Sequence, residues 1–293
     1  MKSGNIYFLF AVLLLTACGG PRNMTIYKEN AKSEIASGNY AAAVVSWKTY
    51  FNQQSEAERK ITGEEYAQAA KTAFKAGMNE QATDWFDQAR YKNYADAEMY
   101  TDLAEIFREK DNLSKELSAL EYFRENFSQD NPEVNSRLFA IYDEIDMTEK
   151  ALKIWETLPK SSKGTAENLE KYFEINKELD NEATLDSLSL ALLEINPNHI
   201  EALEWNAMKY YWEAENLYKR EMQKYETNKT RSQYRKLLEQ LDVVTATFKK
   251  SLTYFERLWE QNPGKKYAPY MANIYARFND DQKANYYRGF VEE

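Results

Sequence analysis

A chain of 293 residues with 43% apolar side chains has enough hydrophobic material for a folded core, which excludes a disordered protein. Forty-seven Asp and Glu against 38 Lys and Arg give a net charge of −9, which argues against a nucleic-acid partner. A uniform surface of that sign would also be repelled by anionic lipid. With nine glycines and six prolines, long stretches lack any backbone breaker, and the chain reads as helical.

Residues 1–17 have the layout of a secretory signal peptide. Lys2 is a short basic region, and the uncharged run from Ile6 to Leu15 is too short for a comfortable permanent span. The run closes on Leu15-Thr16-Ala17-Cys18, which resembles the lipobox of bacterial lipoproteins. That resemblance implies cleavage before Cys18 and lipidation of its thiol, with two or three acyl chains such as palmitate as a membrane anchor. A buried apolar helix with an incidental cysteine, or a plain N-terminal anchor, is the competing reading, but either leaves unexplained why the one cysteine of the chain falls at the cleavage position. Each acyl chain contributes on the order of 0.8 kcal/mol per buried methylene, so such attachment is effectively permanent. Residues 18–24 read as a tether, whose extended reach of roughly 20 Å keeps the domain near the bilayer. Gly19 is not the aspartate that marks inner-membrane retention in some lipoproteins, and no acidic run follows Cys18. The expectation is a bacterial envelope protein on the outer membrane, facing the periplasm.

From residue 25 to 198 a helix-turn-helix pattern recurs about every 34 residues, giving about five repeats. The clearest copy places Ala70 and Ala73 on a first helix, Gly77-Met78-Asn79 in a turn, and Ala82, Phe86 and Ala89 on a second. Small residues permit close helix approach and the aromatic fills the next gap. Gly38-Asn39-Tyr40 and Asp111-Asn112-Leu113 are related turns, and the equivalent positions Ala43, Ala82, Glu116, Ala151 and Leu185 are spaced by 39, 34, 35 and 34 residues. The pattern resembles the tetratricopeptide repeat. It implies an all-α, right-handed superhelix of helix-turn-helix repeats whose first helices line a concave face. Pro132, Pro159, Pro197 and Pro263 fall between units, whereas Asn176 and Ser189 occupy places where aromatics are usual.

Residues 199–262 interrupt the period. Tyr210 to Gln261 contains no Gly or Pro, which predicts a long inserted helical hairpin turning at Thr227-Asn228-Lys229-Thr230. Its second helix carries Tyr234, Leu238, Leu241, Thr245, Phe248, Leu252, Phe255 and Trp259 at alternating spacings of four and three, a coiled-coil seam. Ala214, Tyr218, Met222 and Tyr225 form the facing stripe. Residues 263–293 read as a capping helix pair.

The chain offers little chemistry. His199 is its one histidine, read as a solvated imidazole at a helix start, and a zinc site built from several His or Cys is excluded. No nucleotide or cofactor motif is present, so no cofactor, metal or catalytic residue is assigned. On the expected concave face lie Lys28, Lys32, Lys71, Phe74 and Lys75, then Arg108, Asp143, Glu170 and Glu174, so that a groove would pass from basic to acidic. Lys32, Lys71, Phe74, Lys75, Arg108, Asp143 and Glu174 are the candidate partner-binding residues, and Cys18 the lipidation site. The expected function is a non-enzymatic, lipid-anchored scaffold that binds other envelope proteins through its groove and long hairpin, with self-association through the hairpin as a further possibility. The alternative is an envelope carbohydrate-binding protein or a carboxylate-dependent hydrolase.

Overall fold

A computed structural model describes residues 22–292, so Cys18 and the segment read as a signal peptide lie outside the described residues. All fifteen described elements are helices, and the described residues divide into two compact units, one ending at Val134 and one beginning at Asn135.

Unit 1 contains three helical hairpins: α1 (Arg22–Ala36) with α2 (Tyr40–Glu56), α3 (Gly63–Lys75) with α4 (Asn79–Tyr91), and α5 (Ala97–Glu109) with α6 (Leu113–Asn126). Helix α1 starts inside the stretch read as a tether, because Arg22-Asn23-Met24 follows Pro21 with no further breaker. Each hairpin turns on one residue in the left-handed region: Gly38 (φ 75°), Gly77 (φ 72°) and Asp111 (φ 51°). The next backbone N–H donates to the carbonyl five residues back, Asn39 to Glu34 at 2.8 Å, Met78 to Ala73 at 2.9 Å and Asn112 to Phe107 at 2.8 Å. This is the Schellman closure, which satisfies carbonyls that a helix end would leave unpaired. Five residues after each left-handed residue come Ala43, Ala82 and Glu116, all buried against the first helix. Trp47 and Phe86, one turn beyond Ala43 and Ala82, are themselves fully buried.

Unit 2 repeats the same closure. It holds most of α7 (Pro132–Glu144), then α8 (Thr148–Thr157), the single turn α9 (Lys160–Lys163), α10 (Ala166–Glu178), α11 (Glu182–Ile195), α12 (Ile200–Thr227), α13 (Arg231–Gln261), α14 (Ala268–Arg277) and α15 (Asp281–Glu292). Asp146 (φ 57°), Asp180 (φ 52°) and Asn279 (φ 56°) are its left-handed residues. Ala151, Leu185 and Ala284 are the buried positions five residues on. Asn176 and Ser189, the departures from the repeat pattern, are buried and hydrogen-bonded. Asn176 Nδ2 donates to the Tyr172 carbonyl at 2.7 Å and Ser189 Oγ to that of Asp186 at 3.0 Å, so neither leaves an orphaned polar group.

Helices α12 and α13 form the long hairpin, 28 and 31 residues, or about 42 and 46 Å at a 1.5 Å rise. Its base is packed by α14 and α15 into one apolar cluster that includes Tyr211, Phe248, Phe255, Met271 and Tyr275. Ser251 Oγ donates to the Ala207 carbonyl at 2.7 Å inside it, which marks a close helix approach. Arg277 fixes the upper edge of the cluster. Its guanidinium pairs with the buried Glu215 at 2.6 Å and lies over Tyr218, 4.4 Å from the ring centroid.

Beyond that level the seam differs from the sequence reading. Phe248, Leu252, Phe255 and Trp259 are buried as expected, but toward the tip Leu237 and Val244 are buried while Tyr234 and Leu238 are 48% and 46% exposed and Thr245 faces solvent. Two adjacent heptad stripes share Leu241, Phe248 and Phe255. At the base α13 has neighbours on both sides and buries both stripes; at the tip α12 is the one partner, and Leu237 and Val244 are buried against it while Tyr234 touches Tyr225 of α12 but stays half exposed. Truncation should separate the two registers. Leu237→Ala is expected to cost about 2 kcal/mol or more and Leu238→Ala well under 1 kcal/mol, measured as shifts in urea unfolding. Equal losses would contradict the observed register.

Candidate functional site

The first helices of unit 1 are clasped by ion pairs that run from one hairpin to the next. Lys28 on α1 pairs with Glu65 on α3 at 2.8 Å. Lys71 on α3 pairs with Asp96 at 2.8 Å and with Glu98 on α5 at 2.9 Å, and Lys75 reaches Glu98 at 3.5 Å. The carboxylates are where they are because they also start helices. Thr62 and Glu65 form a reciprocal capping box on α3, and Asp96 caps α5 by accepting the Met99 N–H at 2.9 Å. The positive end of each helix dipole favours an acid there. One side chain therefore both caps its own helix and holds a lysine from the preceding hairpin.

Electrostatics follow from those contacts. Burial works against ionised Glu65, yet hydrogen bonds from Lys28, Thr62 and Tyr50 outweigh it and hold the carboxyl at about 2. Burial raises the Tyr50 phenol, and its hydrogen bond to Glu65 raises it further. Asp102, one turn beyond Glu98, has no such support. Its Oδ2 is buried without a hydrogen-bond partner, and burial, then the neighbouring charge of Glu98, pushes it up to about 7.

The expected basic end of the groove is thus not an open cationic surface. Lys71 and Lys75 are committed to carboxylates, Lys32 pairs with Glu29 on its own helix at 2.9 Å, and Arg108 pairs with Glu105 on its own helix. Phe74 is half-buried beside them. In unit 2 the relevant acidic residues lie on three helices. Asp143 on α7, Glu170 and Glu174 on α10, and Glu201 on α12 come close together, with Lys171 paired to Asp143 at 3.5 Å. Burial, then the charges of Asp143 and Glu170, raise the Glu174 carboxyl; burial also raises that of Asp143.

His199 belongs to this face and corrects the reading of it as solvated. Its side chain is only 11% exposed, because its Nδ1 turns inward to accept the Ala202 N–H at 3.3 Å and so caps α12. Its Nε2 lies 3.6 Å from Glu170, and Nδ1 lies 3.4 Å from Glu201. An accepting Nδ1 requires the proton on Nε2, aimed toward Glu170 but too far for a hydrogen bond.

A second feature of unit 2 is a cleft of about 470 Å³ lined by Trp205, Trp212, Glu182, Asp186, Lys209 and Glu213. Trp212 is half exposed, while Trp205 Nε1 donates to Asp186 at 3.0 Å and Lys209 pairs with the same carboxylate at 2.6 Å. Among the described residues no group of three or more His, Cys, Asp or Glu is placed to hold a metal ion, and no helix is long and apolar enough to cross a membrane. Sequence reasoning missed the double role of Glu65 and Asp96, although Thr62-x-x-Glu65 carries the capping-box signal. It also missed Asp102 and the tryptophan cleft, whose residues come from different helices or turns.

No family model matches the chain, and no curated protein matches it. Among solved structures it is similar to YrrB, described as a TPR protein with an unusual peptide-binding site, at 16% identity and a TM-score of 0.48 over 61% of this chain and 89% of that one. It is similar to a putative protein-binding protein from Bacteroides ovatus at 16% identity and 0.48, over 75% and 100% of the two chains. A tetratricopeptide repeat protein from Parabacteroides merdae overlaps it at 11% identity and 0.46, over 92% and 93%. The recurrent hairpins and their shared turn closure make the chain an all-α, tetratricopeptide-like repeat protein with a long hairpin near its C-terminus.

Asp102 contributes a part of the stability that decreases as pH rises. Its folded-state value near 7 lies above that of an unfolded Asp, so the stabilisation is complete below about pH 4 and is lost as pH rises through about 7. Asp102→Asn should raise the unfolding free energy obtained from urea titration at about pH 8, by on the order of 1–2 kcal/mol after allowance for solvent screening, and change it little at about pH 4. A variant whose gain is the same at both pH values would refute the assignment.

Proposed function

We propose that the protein is a lipid-anchored envelope scaffold, held through Cys18, that docks partner proteins on the helical faces of its repeats. Helical repeats offer extended surfaces suited to protein ligands and seldom carry reaction chemistry. The observation that carries the reading is the acidic face of unit 2, where Glu174 is crowded by Asp143 and Glu170 and burial adds to the cost of its charge. A cationic partner segment would relieve that repulsion, so a Lys- or Arg-rich stretch is the expected ligand. The outer membrane, facing the periplasm, is the proposed site of action.

A specific observation favours a second reading, a carbohydrate ligand in the cleft of Trp205 and Trp212. An exposed indole beside Glu182 and Glu213 suits stacking on a sugar ring together with hydroxyl hydrogen bonds. Quenching or blue shift of tryptophan fluorescence on titration with oligosaccharides, lost in Trp212→Ala, would favour it over the docking face.

Two measurements test the scaffold reading. Cells grown with radiolabelled palmitate should label the wild-type chain and not Cys18→Ser; a labelled Cys18→Ser chain would remove the anchor. Affinity capture from detergent-solubilised envelope should recover a reproducible partner with a basic segment, weakened on the order of tenfold or more by Glu170→Lys with Glu174→Lys. Recovery of no reproducible partner by the wild-type chain would sink the docking reading.

A further inference from the structure

The charge of this acidic protein is not evenly spread. Residues 219–236, the tip of the α12–α13 hairpin, hold seven Lys and Arg against two Glu, a net of +5 in a chain of net −9. Arg220 and Lys224 are paired with the largely buried Glu221 at 3.1 and 2.7 Å. Lys219, Lys229, Arg231, Arg235 and Lys236 are exposed and make no ion pair among the described residues. The expectation that surface charge opposes contact with anionic lipid therefore fails at this end of the molecule.

Helix stability does not account for Arg231. Thr230 caps α13 through the Gln233 N–H, Arg231 follows in the first turn, and that turn contains no acidic residue. A cation there opposes the positive end of the helix dipole, so the local energetics favour the opposite sign. Apolar surface accompanies the charge. Tyr225 and Tyr234 pack ring to ring at 5.6 Å, Tyr234 remains half exposed, and Leu238 stands one turn further along the same face.

The tip also stands clear of the core of its own unit. The apolar cluster packed by α14 and α15 reaches Tyr218 on α12 and Val244 on α13 and goes no further. Nine residues of α12 continue past Tyr218, so the tip extends roughly 14 Å beyond the cluster. A projecting end offers a convex surface, which meets a plane better than it grips a peptide. Long cationic side chains around tyrosines and a leucine are the combination that binds at a headgroup layer, with charge attracting and the aromatic and apolar groups seating at the interface. A second copy is a poorer occupant, because two such tips would bring like charges together.

We propose that the α12–α13 tip is a contact site for the surface of an anionic phospholipid bilayer. It lies on the membrane and does not span it. The inference rests on the tip alone and holds whether or not Cys18 is acylated.

The test is flotation of the full chain with vesicles of phosphatidylcholine alone and of phosphatidylcholine with one-third phosphatidylglycerol, at low and high salt. The N-terminal apolar run is the same in every variant and meets both vesicle types, so the readout is the gain from anionic lipid. Wild type should bind the anionic vesicles better, and high salt should remove the gain. Arg231→Glu, Arg235→Glu and Lys236→Glu together should reduce the gain on the order of tenfold or more. Tyr234→Ser with Leu238→Ser should weaken binding while leaving the salt response in place. Unchanged circular dichroism would exclude unfolding, and Lys249→Glu with Lys250→Glu, charge reversals nearer the hairpin base, provides a second check by leaving the gain largely intact. Equal binding to the two vesicle types, or a gain untouched by the tip reversals, overturns the proposal. So does tip-dependent binding of soluble polyglutamate without any gain on anionic vesicles, which would point to an acidic protein, and tip-dependent dimerisation without such a gain, which would point to a second copy.

Discussion

Every repeat in this protein depends on one backbone residue held at positive φ between its two helices. That residue reverses the chain, and the N–H that follows it closes onto a carbonyl five residues back. Once the closure is made, the residue five positions further on must face the first helix at short range. Four of the six such positions are Ala, and all six are buried. Glycine takes the left-handed place twice; Asp and Asn, which tolerate it through local hydrogen bonding, take it in the other four. The turn geometry thus sets the helix crossing, and the crossing sets which side chains form the outward faces.

Those faces are organised by a second economy of side chains in unit 1. A carboxylate that starts a helix is already oriented by the backbone N–H groups it caps, so little further entropy is lost when it also receives a lysine. Exposed ion pairs are weak, but Glu65 is largely buried and accepts from Lys28, Tyr50 and Thr62 together. The consequence for function is that cations which look available along the sequence are occupied in the fold. In unit 2 Lys171 and Lys209 make comparable pairs with Asp143 and Asp186, but Glu174 has none among the described residues, and burial, then the charges of Asp143 and Glu170, raise its carboxyl.

The all-helical class and the repeat period were readable because small residues recur at a fixed interval and breakers fall between the units. Occupancy of charges was not readable, since Lys71 and Asp96 are 25 residues apart and their contact follows from how hairpins stack. His199 was misread for a related reason: Pro197-Asn198 signals a helix start, but an imidazole replaces the usual cap residue and is drawn inward. On α13 the sequence contains two valid heptad stripes, and nothing local chooses between them. The neighbours choose, and they differ between base and tip.

That difference divides the long hairpin by function as well as by packing. At the base, Arg277 with Glu215 and the aromatic cluster fix α12 and α13 against α14, and a substitution there meets several partners at once. Taking the Arg277 and Glu215 charges out of water offsets most of their attraction, so the pair adds little net stability. Toward the tip the two helices meet only each other, so most side chains there are free of packing constraints. A surface free of such constraints would be expected to follow the acidic average of the chain and the preference of a helix start for acids. It departs from both. Selection by something outside the fold is the simplest physical reason for cations at that place, and a negatively charged plane is the partner whose shape and sign match it.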